Sequence, residues 1–289
     1  MKSISFLRMV AKKGKSGIIG ILFNGIRPFY ERKKDMRIVT FNLRCDVKND
    51  GVNSFTSRKG LVIDKLDREM ADVIGFQEVT PLMNAFLHKK MPLYTLVGCG
   101  RGKDYQDEHN PVAFRSDKYE LIGLDVTWLS ETPYEPGTRF KIQSPCPRII
   151  THVILRPVGS GEPFHVYNTH LDHESTQARQ QGAKRLIEKI EEDQKTHPFP
   201  LLITGDFNAT PEAREIQMLK EKFADFTENI GVTFHDFGRV DGGQIDYIFA
   251  NGFVKESEPV KWTDEWNKVF LSDHYPIETT VKRKDGGEV

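Results

Sequence analysis

Asp206 and Asn208 stand at the end of a short apolar run in Pro200-Leu-Leu-Ile-Thr-Gly-Asp-Phe-Asn-Ala-Thr-Pro211. Leu201, Leu202 and Ile203 predict a buried strand that ends at Gly205. Pro211 and Glu212 then predict the start of a helix. Alternate residues of an extended chain point to one side, so Asp206 and Asn208 share a face if the chain stays extended. A carboxylate and an amide converging there suit water activation or the cradling of an anion. The same residues also suit an ordinary turn, because Gly, Asp and Asn are all turn formers.

The arrangement recurs, which favours chemistry over a turn. Asn42 follows the strand-like Arg37-Ile-Val-Thr-Phe41, and Glu78 follows Val73-Ile-Gly-Phe-Gln77. His170 follows Tyr167-Asn-Thr169, and Asp273-His274 immediately precedes a β run from Tyr275. Strand ends are rigid and hold side chains to the tolerance a reactive site needs. Glu78 and the Asn42 amide are hard oxygen donors. They suit Mg²⁺ or Mn²⁺, whereas Zn²⁺ calls for more His or Cys.

In Gln244-Ile-Asp-Tyr-Ile-Phe-Ala250, Asp246 shares a strand face with Ile248 and Ala250. An inward face would bury the carboxylate, and a buried charge needs a partner. His274 is the expected one, because an Asp–His pair fixes the imidazole tautomer and stabilises its protonated form. An exposed Asp on an edge strand is the other reading. His170 fits either a phosphate contact or a satisfied core histidine. With His173 it lacks the third ligand that zinc would require. Arg148, at the start of a strand, reads as a phosphate fork or as a surface charge.

The elements that must carry these residues alternate between strands and helices. Helices are predicted over 58–70, from Thr80 with Pro81 in the first turn, over 174–194, and from 211 to about 219. The third of these has an inner stripe of Ala178, Ala183, Leu186, Ile187 and Ile190. Further strands are predicted over 95–99, 112–114, 119–129, 149–155, 164–168, 245–249, 254–262 and 277–282. Many strands with a few interspersed helices imply two packed sheets flanked by helices, an α/β sandwich in one domain.

Composition narrows the partners. Hydrophobic residues make up 38% and charged residues 28%, as in a soluble globular chain. No apolar run approaches the roughly 20 residues that cross a bilayer. Lys+Arg 41 balance Asp+Glu 41, yet residues 1–35 hold nine basic and two acidic residues, so residues 36–289 carry about −7. An acidic body disfavours a broad nucleic-acid footprint, although a local basic groove remains compatible with it. Cys45, Cys99 and Cys146 form no Cys-x-x-Cys pair, which implies free thiols in a reducing compartment such as the cytoplasm. Residues 1–35 fit a loosely docked or disordered extension, a segment lying on a membrane surface, or an organelle-targeting peptide, and the first is preferred.

Asn42 in Thr-Phe-Asn-Leu, Gln77-Glu78, Asn168-Thr-His-Leu171, Gly205-Asp-Phe-Asn208, Ile245-Asp-Tyr247 and Ser272-Asp-His274 resemble, in order, the motifs of the endonuclease/exonuclease/phosphatase superfamily, the DNase I-like metal-dependent phosphoesterases. The resemblance implies a catalytic domain over 36–283 and a tail over 284–289. Its fold would be a four-layered α/β sandwich, two mainly antiparallel sheets face to face with helices outside. By the same resemblance, Glu78, Asn42 and Asp273 surround Mg²⁺, and Asp206 activates or orients the attacking water with Asn208 beside it. His170 and His274 contact the phosphoryl oxygens, Asp246 orients His274, and Arg148 and Glu108 bind substrate. The implied partner is a phosphate ester, either a small, nucleotide or lipid-type molecule or, as the alternative, DNA or RNA. A non-catalytic binding module would be expected to have lost some of these positions, and here all are filled. The lack of the tryptophan-flanked and Cys-Asp-Arg motifs argues against an inositol polyphosphate 5-phosphatase.

Overall fold

The strands that end in polar residues are the central strands of two sheets. The computed structural model describes residues 35–159 and 161–284, all within one compact unit, Lys34–Val289. The expectations for residues 1–34 and 285–289 fall outside the described residues. The chain begins with β1 (Met36–Asn42), α1 (Phe55–Glu69), β2 (Val73–Gln77) and α2 (Pro81–Lys90). It continues through β3 (Tyr94–Val97), β4 (Val112–Arg115), β5 (Tyr119–Trp128), β6 (Ile149–Pro157) and β7 (Phe164–His170). After α3 (Thr176–Thr196) come β8 (Leu201–Asp206), α4 (Arg214–Lys220), β9 (Ala224–Asp225) and β10 (Asp246–Asn251). The last elements are β11 (Phe253–Lys255), β12 (Val260–Lys261), a small hairpin of β13 (Glu265–Trp266) and β14 (Val269–Phe270), and β15 (Ile277–Arg283).

The first sheet has the order β11-β15-β1-β2-β4-β3, with β12 also on β15, and the second has the order β5-β6-β7-β8-β10-β9. Each contains one parallel pair, β1 with β2 and β7 with β8, and is otherwise antiparallel. Three apolar cores separate four layers. Val62, Leu66, Met83 and Leu87 of α1 and α2 cover Phe41, Ile74 and Phe76 of the first sheet. Ile38, Val73, Val166, Leu202 and Ile248 fill the space between the sheets. Ala183, Leu186, Ile187 and Ile190 of α3 join Ile216 and Leu219 of α4 over Tyr167, Ile203 and Phe249. The protein is therefore an α/β sandwich of two mixed sheets with helices outside.

The period of two decides where chemistry can sit. Along β8, Leu202 points between the sheets and Leu201 and Ile203 point at the helices, so Thr204 and Asp206 follow Leu202 inward. The same alternation turns Asn42, Gln77, Asn168, His170 and Asp246 to the inter-sheet side, so one end of the sandwich is polar. Beneath that end Asn168 ties the sheets together. Its Nδ2 donates to the carbonyls of Phe76 (2.7 Å) and Asn110 (3.1 Å), and its Oδ1 accepts from Gln77 Nε2 (2.7 Å) and Thr204 Oγ1 (3.0 Å). The approach is so close that a Cβ at Gly75 would lie 2.0 Å from Thr204 Oγ1.

Thr80 caps α2 as expected, its hydroxyl accepting from the Met83 N–H. Three elements differ from expectation by more than two residues. The helix of α1 begins at Phe55, and α4 begins at Arg214 rather than at Pro211. The strand expected over 254–262 is broken into β11 and β12, because Pro259 has no N–H for the ladder. Among the described residues no helix is long and apolar enough to cross a membrane.

Candidate active site

The polar end of the sandwich opens into a cavity of about 560 Å³. Glu78, Glu108, Arg148, His170, Asp206, Asn208, Asp273 and His274 line it. Asn42 and Asp246 lie directly behind, so the structure brings together all ten residues singled out in the sequence. Sheet register accounts for much of this. Asp206 is paired with His170 on one neighbouring strand and with Asp246 on the other.

Asn42 bridges the two sheets, donating from Nδ2 to Glu78 Oε1 (3.0 Å) and Asp206 Oδ2 (2.9 Å), while its Oδ1 accepts from the Arg44 N–H (2.8 Å). Burial opposes the Glu78 charge, but bonds from Asn42 and the Cys45 N–H outweigh it and hold this carboxyl below its ordinary range. Asp206 is different. Burial and the neighbouring Asp246 push it up to about 7, against the pull of His274. His274 Nδ1 donates to Asp246 Oδ2 at 2.9 Å, and its Nε2 lies 3.7 Å from Asp206 Oδ2. Burial works against the imidazolium, yet Asp246 and Asp206 prevail and keep His274 protonated well above the usual range. Burial and the charge of Arg148 keep His170 neutral. Its Nε2 accepts from Asn208 Nδ2 (3.0 Å).

Asn208 reaches this position by leaving the extended conformation, with φ at 49°. Arg44 and Glu78, at the ends of β1 and β2, are also left-handed at 51° and 59°. Each such non-glycine residue costs about 1–2 kcal/mol. Buried Phe207 anchors the Asn208 turn in the helix-side core. Asp273 lies in the cavity with its Oδ2 3.6 Å from Arg44 Nε, and burial and Glu78 contribute to raising its carboxyl. Glu108 is pushed up to about 7 by burial and by Glu78, although Arg101 Nη1 stands 2.8 Å away.

Arg148 is buried, which excludes a surface charge. Its Nη2 donates to His173 Nδ1 (2.9 Å), its Nε has no partner, and among the described residues no carboxylate pairs with it. Arg44 and Arg101 are isolated loop charges in sequence yet cavity residues in the fold. Arg58 is a further case, and its fully buried guanidinium donates to the carbonyls of Leu43, Arg44, Asn53 and Leu271. Those bonds brace the loop after β1 against the segment that carries Asp273. Arg58 stands four residues before Val62 and eight before Leu66, on the buried face of α1, and that helical spacing is the signal by which it could have been found.

A sandwich with its polar end built from these motifs defines a class, and the chain belongs to the Endonuclease/Exonuclease/phosphatase family, whose family model matches residues 39–274. Members of this family are hydrolases of phosphate esters and generally use divalent metal ions. Among solved structures, the chain is similar to an endonuclease/exonuclease/phosphatase from Bacteroides vulgatus. The two are 30% identical with a TM-score of 0.81 over 86% of this chain and 99% of that one. It is also similar to the mannosyl-6-phosphatase of Bacteroides thetaiotaomicron, 23% identical with a TM-score of 0.76 over 85% and 99%. TDP2 from D. rerio, solved with a single-strand DNA product, shares the fold at 16% identity and a TM-score of 0.67 over 86% and 99%.

Proposed function

We propose that this protein hydrolyses a phosphate ester by metal-assisted attack of water, with Mg²⁺ as the ion and Mn²⁺ able to replace it. The observation that carries this reading is the convergence of Glu78, Asp273, Asp206, His170 and His274 on one cavity, in which the ligand atoms of Glu78, His170 and Asp206 lie within 4.8 Å of one another. The donor chemistry fits a hard cation. Glu78, Glu108, Asp206 and Asp273 crowd one cavity, and the last three are held above the ordinary carboxylate range. Glu78, with Asn42 and Asp273 beside it, would hold the ion. Bound there, the ion would offset negative charge gathering on the phosphoryl oxygens.

The protein groups supply the rest. Asp206, fixed by the Asn208 N–H at Oδ1 and by Asn42 at Oδ2, takes the proton of the attacking water. A carboxylate poised near neutrality suits that task. His274, kept protonated by Asp246, donates from Nε2 toward the phosphoryl group. His170, Asn208 and the uncompensated guanidinium of Arg148 orient the same group. The acidic body, about −7 over residues 36–289, favours a small ester over polymeric nucleic acid. A panel of divalent metals against nucleotides, sugar phosphates, phospholipids and oligonucleotides tests the proposal. Turnover should require the metal and vanish in Asp206→Ala. Undiminished activity in that variant overturns the mechanism, and turnover confined to oligonucleotides replaces the small ester with a nucleic acid.

A further inference from the structure

Beside the phosphoryl site the cavity has a second wall, formed by Arg101 and Glu108. The loop that carries them folds back on itself. The Arg101 N–H donates to the Glu108 carbonyl (3.0 Å), Gly100 N–H to Tyr105 (2.9 Å), and Gly102 N–H to Gln106 (2.8 Å). A Cβ at Gly100 would lie 2.2 Å from the Gln106 oxygen, so only glycine permits the turn. From behind, Trp128 Nε1 donates to the Arg101 carbonyl at 2.6 Å. This wall is preorganised.

What it presents is hydrogen-bonding capacity. Arg101 Nη1 meets Glu108 Oε2 at 2.8 Å and Arg101 Nε meets Asp107 Oδ2 at 3.1 Å. Arg101 and Glu108 both line the cavity, and the buried Nε of neighbouring Arg148 has no partner among the described residues. The wall therefore offers a carboxylate acceptor between guanidinium donors. The aromatic face in the cavity is Phe234, which packs on the His274 ring at 5.0 Å.

We propose that the leaving group of the substrate is a polyol, a sugar or sugar alcohol, and that Glu108 and Arg101 grip two of its adjacent hydroxyls. The proposal rests on the phosphoesterase reading above. A hydroxyl both donates and accepts, so one of a neighbouring pair gives its proton to Glu108 Oε1 while the other accepts from Arg101 Nη2. An acyl chain in this place would desolvate both charged groups and offer neither a further hydrogen bond. A nucleobase would call for a flat aromatic face, which this wall lacks.

The test compares kcat/KM of the full chain with Mg²⁺ on a hexose 6-phosphate, a 5′-nucleoside monophosphate, phenyl phosphate and diphenyl phosphate. The hexose phosphate should exceed each of the others by at least about 10-fold, and Glu108→Gln should lower that preference by at least about 10-fold, through KM more than kcat. Arg101→Lys should lower it in the same sense, and decides the matter should Glu108→Gln not fold. Equal turnover of a phenyl ester or the nucleotide, or a preference unmoved in the variants, overturns the inference alone. Hydrolysis of none of the four, with turnover of another ester in the metal-and-substrate panel, overturns this inference alone, and no turnover in either overturns the phosphoesterase reading with it.

Discussion

Replacing Asn168 with Leu keeps much of the side chain's volume and removes every hydrogen bond it makes. Asn168 is fully buried between the sheets, so the groups it serves cannot turn to water. The Asn110 carbonyl loses a 3.1 Å bond, and a buried carbonyl left unpaired costs about 1–3 kcal/mol. Gln77 Nε2 keeps bonds to Gly75 (3.0 Å) and Thr40 (3.3 Å), and Thr204 Oγ1 keeps only a 3.5 Å contact with Tyr167. Each is weakened by about 1 kcal/mol. The expected loss is about 3–5 kcal/mol, or roughly 10 °C in Tm for a chain of this size. Urea unfolding followed by both fluorescence and circular dichroism measures it. In a double-mutant cycle, Thr204→Val added to Asn168→Leu should cost much less than it does alone, because the two side chains share one bond. A loss below about 1 kcal/mol, or full additivity, refutes the argument that Asn168 joins the sheets.

Gly75→Ala should destabilise by at least about 2 kcal/mol in the same assay, since the new methyl meets Thr204 and Asn168 in a closed space. Asp246→Asn should lower kcat about 100-fold or more without loss of secondary structure, because the His274 proton loses its buried partner; an unchanged kcat counts against the Asp–His pair. Mg²⁺ should raise Tm in proportion to its binding, by about 2.7 kcal/mol of stability at a hundred times its Kd, and Glu78→Gln should remove most of that rise. Acid should act through His152, which burial pushes down to about 3 from 6.5. Its unfolded form binds the proton more readily, so stability is unaffected by this group above about pH 6.5 and falls as pH drops toward 3. Urea midpoints between those limits should fall less steeply for His152→Gln.

Where function follows from alternation, it was legible in the chain. Apolar runs ending in Asn42, Gln77, His170 and Asp206 mark strands whose last inward position is polar, and the sheets place those positions side by side, with Glu78 turned into the cavity one residue past its strand. The Asp246–His274 pair followed from the cost of burying a lone carboxylate on the face of Ile248. The stripe on α3, from Ala178 to Ile190, was legible for the same periodic reason. The rest depends on what meets what across distance. Arg58, Arg101 and Arg44 acquire meaning only from carbonyls and carboxylates contributed by remote loops. Asn208 adopts a left-handed conformation in which its Nδ2 bonds His170 Nε2 and the Leu171 carbonyl, tertiary partners that local propensity does not contain. The break at Pro259 was open to reading, since Lys255-Glu-Ser-Glu-Pro259 is polar and ends in a residue with no N–H for the ladder.

The register that sets His170, Asp206 and Asp246 abreast makes catalysis a readout of strand alignment. A slip of β8 by a single position would turn Asp206 toward the helices and put Gly205 or Phe207 in its place, with the hydrogen-bond ladder otherwise intact. A misthreaded molecule could thus look folded by its backbone while being inert.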